Sequence, residues 1–143
     1  MKLAAMALAI VITAPWMAPK TSFYYAKEIK YASHAFSIPP LLLIAIIEHE
    51  SRWNPNAVNT KSGACGLGQV LPYNGKCILG ARSNIRASAS ILHKNYVYCS
   101  TRGNHKIGLW EKGLAGYQTG RCEPVKMTKT VLTRWKELER RVR

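Results

Sequence analysis

Aspartate does not occur in this chain of 143 residues, and its whole acidic complement is seven glutamates. That absence removes Ser-His-Asp chemistry, the aspartate nucleophile of many retaining glycosidases and most oxygen-ligand cages for hard metal ions. The four cysteines, Cys65, Cys77, Cys99 and Cys122, form no Cys-x-x-Cys pair, and His34, His49, His93 and His105 show no ligand spacing. No metal and no cofactor is therefore expected. Long apolar runs are also missing: the stretch from Leu3 to Ala14 is too short to span a bilayer comfortably. Against so few acids stand 21 Lys and Arg, a formal charge of +14. Such an excess calls for a polyanionic neighbour, whether nucleic acid, anionic membrane or a wall bearing peptide carboxylates. The charges are scattered rather than interleaved with stacking aromatics, and no helix-turn-helix or zinc-finger spacing occurs, so nucleic acid is not expected.

Lys2 followed by the Ala-rich run reads as an export segment, a signal peptide or signal anchor over residues 1–18. Pro15 and Pro19 directly follow the small residues Ala14 and Ala18, which makes either a poor cleavage point. Residues 22–143 are then one domain, with contact to the membrane only transient and through the N-terminal segment. Export places the cysteines in an oxidising compartment, the periplasm or cell envelope, where an even count favours two disulfides. All three pairings remain open.

Hydrophobic spacing gives a mainly α chain. Phe23, Ala26, Ile29 and Ala32 mark a first helix from Ser22 to Phe36. Pro39 and Pro40 open a short central helix that ends by Asn54-Pro55. Its run Leu41 to Ile47 has no wetted side and should lie at the centre of the domain. Residues 54 to 68 are loop, with Val58 in a short extended pair, and Tyr73-Asn74-Gly75-Lys76 is a turn. Asn84 caps a third helix running to about Tyr98, residues 106 to 117 form a fourth, and about 124 to 142 a fifth. In the fourth helix Gly108, Gly113 and Gly116 permit close approach of another backbone or a ligand. The fifth places Val131, Leu132, Trp135, Leu138 and Val142 on one apolar stripe with basic residues around it.

Two carboxylates close the central helix. Glu48 and Glu50 are roughly 200° apart around the axis and cannot act on one bond together. Glu48 has Arg52 four residues on, the favoured order for an ion pair. Glu50 has no such cation, and its helical neighbours are Leu43, Ile46 and Ile47. Desolvation without a partner raises a carboxyl pKa, and a carboxyl that keeps its proton near neutrality can serve as a general acid.

The sequence from Glu50 onward resembles that of the soluble lytic transglycosylase family. Glu50-Ser51 closes a buried helix, Asn54-Pro55-Asn56-Ala57 follows, and Gly63-Ala64-Cys65-Gly66-Leu67-Gly68-Gln69 leads onward. Asn84-Ile85 and Leu114-Ala115-Gly116-Tyr117-Gln118-Thr119-Gly120 match later blocks, so the resemblance covers about residues 24 to 121. Several ordered blocks are far more specific than any one of them.

The resemblance implies a lysozyme-like single domain with a short β or extended segment after the catalytic helix. It also implies peptidoglycan glycan strands as substrate, with Glu50 catalytic and Ser51, Asn59, Gln69 and Tyr117 binding substrate. Tyr117 would hydrogen-bond the carboxyl. One carboxyl would act as acid and then as base, which suits a chain without aspartate. Gly68 replaces a methionine, implying a missing cleft wall; Asn59 stands where a serine helps to position the N-acetyl group, and Gln118 replaces an asparagine. The loop before Gly63 is about one residue longer than the family's. A muramidase or phage endolysin hydrolysing the same bond, and a non-catalytic basic wall- or membrane-binding protein, are the competing readings. Small members of the family open the wall for a larger machine, so a secretion, conjugation or phage assembly is a possible partner.

Overall fold

A helix without a polar side can exist in water only if other elements cover it all round, and the architecture meets that demand. The computed structural model describes all residues from Met1 to Arg143. Six helices succeed one another: α1 (Leu3–Thr13), α2 (Pro19–Phe36), α3 (Pro40–Ser51), α4 (Ala81–Cys99), α5 (Leu109–Thr119) and α6 (Lys126–Arg141). Helix α3 lies at the centre, with α1, α2 and α6 packed on it, and every residue from Leu41 to Ile47 is no more than 3% exposed. At about 1.5–3 kcal/mol for each large aliphatic side chain buried, this run is the main apolar contribution of any element. Helices α4 and α5 pack on each other beside it. No helix is long and apolar enough to cross a membrane.

The β content is limited to isolated antiparallel bridges, Val58 with Cys65, Cys65 with Val70 and Tyr73 with Lys76. The extended segment expected after the central helix is present in this reduced form. At the turn, Asn74 (φ 50°) and Gly75 (φ 74°) are both left-handed, and Tyr73 and Lys76 exchange backbone hydrogen bonds of 3.0 Å. This is the geometry that Asn-Gly favours in a two-residue hairpin.

Helix α3 ends earlier than Asn54-Pro55 suggests. Its last helical residue is Ser51, after which Arg52 (φ 50°) and Trp53 (φ 63°) are both left-handed. Two such non-glycine residues cost on the order of 1 kcal/mol each or more. Trp53 offsets this by its burial: the indole is 4% exposed, stacks on Tyr25 at 5.6 Å between centroids, and donates its N–H to Thr13 Oγ1 at 2.9 Å. Because Arg52 leaves the helical path, the expected Glu48–Arg52 ion pair does not form. Arg134 of α6 takes its place, donating Nε and Nη2 to the Glu48 carboxylate at 2.8 Å each and Nη1 to Glu137 at 2.8 Å.

Other boundaries shift for local reasons. Helix α2 begins at Pro19, whose fixed φ suits a first turn, rather than at Ser22. Helix α4 begins at Ala81, so Asn84 is not its cap but a fully buried residue inside its first turn. Helix α5 begins at Leu109, because Asn104 Oδ1 accepts the Lys106 N–H at 2.9 Å and holds the preceding residues in a turn. Helix α6 buries Val131 and Leu138 and packs Leu132, Trp135 and Val142 against the core, as its stripe indicates.

Each disulfide joins one cysteine to the next cysteine along the chain, 12 and 23 residues on. Cys65–Cys77 closes the loop beyond α3, and Cys99–Cys122 ties the end of α4 to the chain beyond α5. Each constrains the unfolded chain, with typical contributions of about 2–4 kcal/mol.

Gly113 and Gly116 do permit close approach, whereas Gly108 stands in open space before α5. A Cβ on Gly113 would lie 2.8 Å from the Tyr96 Cα, a backbone atom that cannot turn aside. Alanine in place of glycine inside a helix gains about 1 kcal/mol in propensity, but overpacking costs about 1–3 kcal/mol. Gly113→Ala is therefore expected to lower the thermal midpoint by several degrees, measurable by calorimetry, with a rise showing that α4 and α5 are not in backbone contact.

Candidate active site

Glu50 owes its position to the early end of α3, and the loop that faces it is held by an asparagine. Backbone hydrogen bonds first shape this loop: Asn59 N–H donates to Ala64 O at 2.9 Å, Gly66 N–H to Ala57 O at 2.8 Å, and Cys65 and Val70 exchange two bonds of 2.9 Å. The buried Asn84 then clamps it. Its Oδ1 accepts the Gly68 N–H at 2.8 Å, and its Nδ2 donates to the carbonyls of Cys65 and Ile78. A side chain on Gly66 (φ 77°) would collide with the Asn84 carboxamide, its Cβ only 2.3 Å from Nδ2. A Cβ on Gly68 would lie 1.8 Å from Ser88 Oγ and 2.9 Å from the Tyr117 hydroxyl. The space opposite Gly68 is thus filled by Ser88 and Tyr117, and the expected gap in the cleft wall does not exist.

These elements enclose a cleft of about 670 Å³ running between the loop and the α4–α5 pair. Glu50, Asn59, Gln69 and Tyr117 all line it; Ser51 does not. The Ser51 hydroxyl turns back into α3 and donates to Ile47 O at 3.1 Å, and the residue is 8% exposed. Asn59 Oδ1 accepts the N–H groups of Lys61 (2.9 Å) and Ser62 (3.1 Å), which shapes the loop and leaves its Nδ2 available. Gln69 is left-handed (φ 52°), and its Nε2 donates to Ala57 O and Gly66 O at 3.1 Å each, which leaves its Oε1 available.

Glu50 is the only carboxylic acid lining the cleft. Its side chain forms no ion pair or hydrogen bond, and burial alone pushes its pKa from 4.5 to about 7. Glu48, two residues earlier, faces the α3–α6 side in its ion pair with Arg134. The Tyr117 phenol donates to Gly68 O rather than to the Glu50 carboxyl, which corrects the expected contact. Burial raises the phenol's pKa well above its usual range, and the Glu50 charge adds to that shift. Tyr117 is therefore neutral at any physiological pH.

Ser88 and Asn95 were not singled out from sequence, and Gln118 only as a replacement in the tyrosine block. Ser88, which donates to Asn84 O at 2.8 Å, packs on Gly68, and Asn95 and Gln118 line the wall. Both amide atoms of Gln118 are buried without a hydrogen-bond partner. An unpaired buried amide costs about 1–3 kcal/mol, so it is a polar group with capacity to spare at the cleft wall. Asn84, Ser88 and Asn95 share one side of α4 at helical spacing, beside the buried Ile85, Ala89 and Leu92, and that polar stripe was the available signal.

A mainly helical fold with one desolvated glutamate in a polar cleft is compatible with a lysozyme-like domain. The model of the Transglycosylase SLT domain matches residues 27–137, from α2 into α6, and the chain belongs to that family. Family membership implies a lytic-transglycosylase-type, peptidoglycan-cleaving function, with peptidoglycan outside the cytoplasm as substrate. Comparison with curated proteins and with solved structures finds no match.

Two predictions follow from this geometry. Gly68→Ala displaces Ser88 and Tyr117, and is expected to lower kcat/KM on purified peptidoglycan by about 10- to 100-fold. Adding Ser88→Gly should recover part of that loss; no recovery would mean that the collision is not the cause. The second concerns Glu50. Its raised pKa means that the folded chain holds this proton more tightly than the unfolded chain does. The resulting stability is fully present below 4.5 and is lost as pH rises through about 7. Glu50→Gln carries no such dependence, so its thermal midpoint should rise relative to the parent's between about pH 5 and pH 8, read by calorimetry at each pH.

Proposed function

We propose that this chain is a peptidoglycan lytic transglycosylase that cleaves the β-1,4 bond between N-acetylmuramic acid and N-acetylglucosamine without consuming water. The observation that carries this reading is the lone cleft carboxyl with a pKa near 7. Glycosidases that use two carboxyls need the second within roughly 5–10 Å, placed to attack the sugar or to activate a water. Here no other acid lines the cleft. A single group that begins protonated can serve both halves of an intramolecular reaction.

In that reaction neutral Glu50 gives its proton to the glycosidic oxygen as the bond from C1 breaks, and the N-acetylglucosamine side leaves with a free 4-hydroxyl. The muramyl ring passes through an oxocarbenium-like state. Glu50, now a carboxylate, takes the proton of the C6 hydroxyl while O6 bonds to C1, giving a 1,6-anhydro end. The glutamate regains its proton and the cycle closes. Gln69 Oε1 and Asn59 Nδ2 present an acceptor and a donor to the strand, and Tyr117 fixes the wall beside Glu50 through its bond to Gly68. Ser51 acts from behind, by holding the last turn of α3. The enzyme works in the periplasm or cell envelope, with residues 1–18 as a signal peptide or signal anchor whose helix α1 packs on the catalytic domain of residues 22–143. Its charge of +14 favours a wall rich in peptide carboxylates.

Mass spectrometry of digested peptidoglycan tests the chemistry: 1,6-anhydromuramyl ends are expected, and reducing ends in their place would show hydrolysis. Glu50→Gln keeps the shape but has no proton to give, so the rate should fall by at least about 100-fold with the fold retained. Wall cleavage by this variant at the parental rate would refute the assignment of Glu50. For the parent, kcat/KM should decline as pH rises above about 7, where free Glu50 loses its proton.

A further inference from the structure

The outer side of α2 carries more aromatic surface than the core can use. Lys20, Phe23, Tyr24, Lys27, Lys30 and Tyr31 recur at intervals of three and four, so they fall within about a third of the helix circumference. All six are exposed, Phe23 by 47%, Tyr24 by 46% and Tyr31 by 57%. The inner side of the same helix supplies the core with Tyr25, Ala26, Ile29 and Ala32. The only acid of α2, Glu28, is on that inner side, 7% exposed and paired with Arg82 at 3.3 Å. Helix α1, which packs on α2, and helix α4, which also packs on it, contain no acid at all. Arg86 of α4 adds a further cation, its guanidinium 4.2 Å from the centroid of the Tyr31 ring. Trp16, 68% exposed in the turn entering α2, and Leu8 and Val11 on α1 are further exposed apolar residues of this hairpin.

We propose that this face docks the protein on an anionic lipid bilayer, with α2 lying in the plane of the headgroups. A surface with cations, aromatic rings and no carboxylate is suited to an interface that is negative outside and apolar just beneath. Lysine stems can lie along the apolar layer while the ammonium groups remain among the phosphates. A carboxylate-bearing wall polymer would satisfy Lys20, Lys27 and Lys30, but it has no apolar phase to receive Phe23 and Trp16; the bilayer satisfies both. Helix α2 contributes no residue to the cleft around Glu50, so docking leaves the cleft free. The stripe is exposed with α1 in place, and its exposure does not depend on whether α1 is later removed.

Sedimentation of the full chain with large vesicles tests the proposal. Binding is expected to vesicles of phosphatidylcholine containing a minority of phosphatidylglycerol, and much less to phosphatidylcholine alone. Replacing Lys20, Lys27 and Lys30 together by glutamate should weaken binding by about 100-fold or more, from about tenfold per 1.4 kcal/mol and about 1 kcal/mol per basic residue at an anionic surface. Phe23→Ser with Tyr24→Ser, which leaves the charge unchanged, should weaken it by about tenfold. The same charge change on α6, Lys129→Glu with Lys136→Glu and Arg140→Glu, should matter by no more than about threefold. Thermal melts confirm that each variant folds. Three outcomes overturn the proposal: no binding of the parent to anionic vesicles, equal losses from the α2 and α6 charge reversals, or α2 variants that lose affinity for purified peptidoglycan while still binding vesicles.

Discussion

The desolvation of one carboxyl at the end of a wholly buried helix is the constraint on which the rest of the structure depends. Residues 41 to 47 offer no polar side, so α3 must be covered on every flank, and α1, α2 and α6 cover it. A helix so enclosed reaches solvent only where it stops. At that point Glu50 emerges from apolar neighbours with no cation in reach, and burial lifts its pKa to about 7. The two left-handed residues that follow, held by the buried Trp53, turn the chain away before another helical residue could crowd the carboxyl. Strain there is offset by packing elsewhere.

Opposite Glu50, the loop depends on polar rather than apolar burial. One carboxamide, that of Asn84, makes three hydrogen bonds to the backbone of Cys65, Gly68 and Ile78, and it has room only because residue 66 is glycine. A fully paired buried amide rigidifies its surroundings, whereas a half-paired one destabilises them. Gln118 is of the second kind, with both amide atoms buried and unpaired. The cleft thus combines a fixed floor with one wall residue whose hydrogen-bonding capacity is unused within the chain.

Much of this was legible in the sequence, wherever local chemistry decides. The central helix, the raised pKa of Glu50, the Asn74-Gly75 turn, two disulfides and the apolar stripe of α6 all rest on spacing or on residue type. The shifted helix starts and the inward turn of Ser51 have local causes, whereas the other failures needed a partner distant in sequence. Glu48 pairs with Arg134, 86 positions away, because a left-handed Arg52 cannot stay on the helix face. Asn84 looked like a cap because Asn is a good cap; its true partners lie in the loop before α4. Gly68 suggested a missing wall, since nothing near it in sequence reveals that Ser88 and Tyr117 fill the space. The pairing of the cysteines likewise awaited the path of the chain.

The same dependence on distant partners explains how two glutamates on one short helix come to differ. Glu48 meets a guanidinium that donates twice and stays charged; Glu50 meets a phenol whose hydrogen is already given to Gly68. An oxygen that has donated its only proton can offer a neighbour nothing but a lone pair. It gives the carboxylate no donor that would hold it ionised, so the desolvation that raises the Glu50 pKa goes unopposed. The influence runs from the glutamate to the phenol, for the Glu50 charge contributes to the raised pKa of Tyr117. Removing the phenol oxygen would unfasten the Gly68 carbonyl, so Tyr117 fixes the shape of the cleft wall while burial sets the protonation of the glutamate beside it.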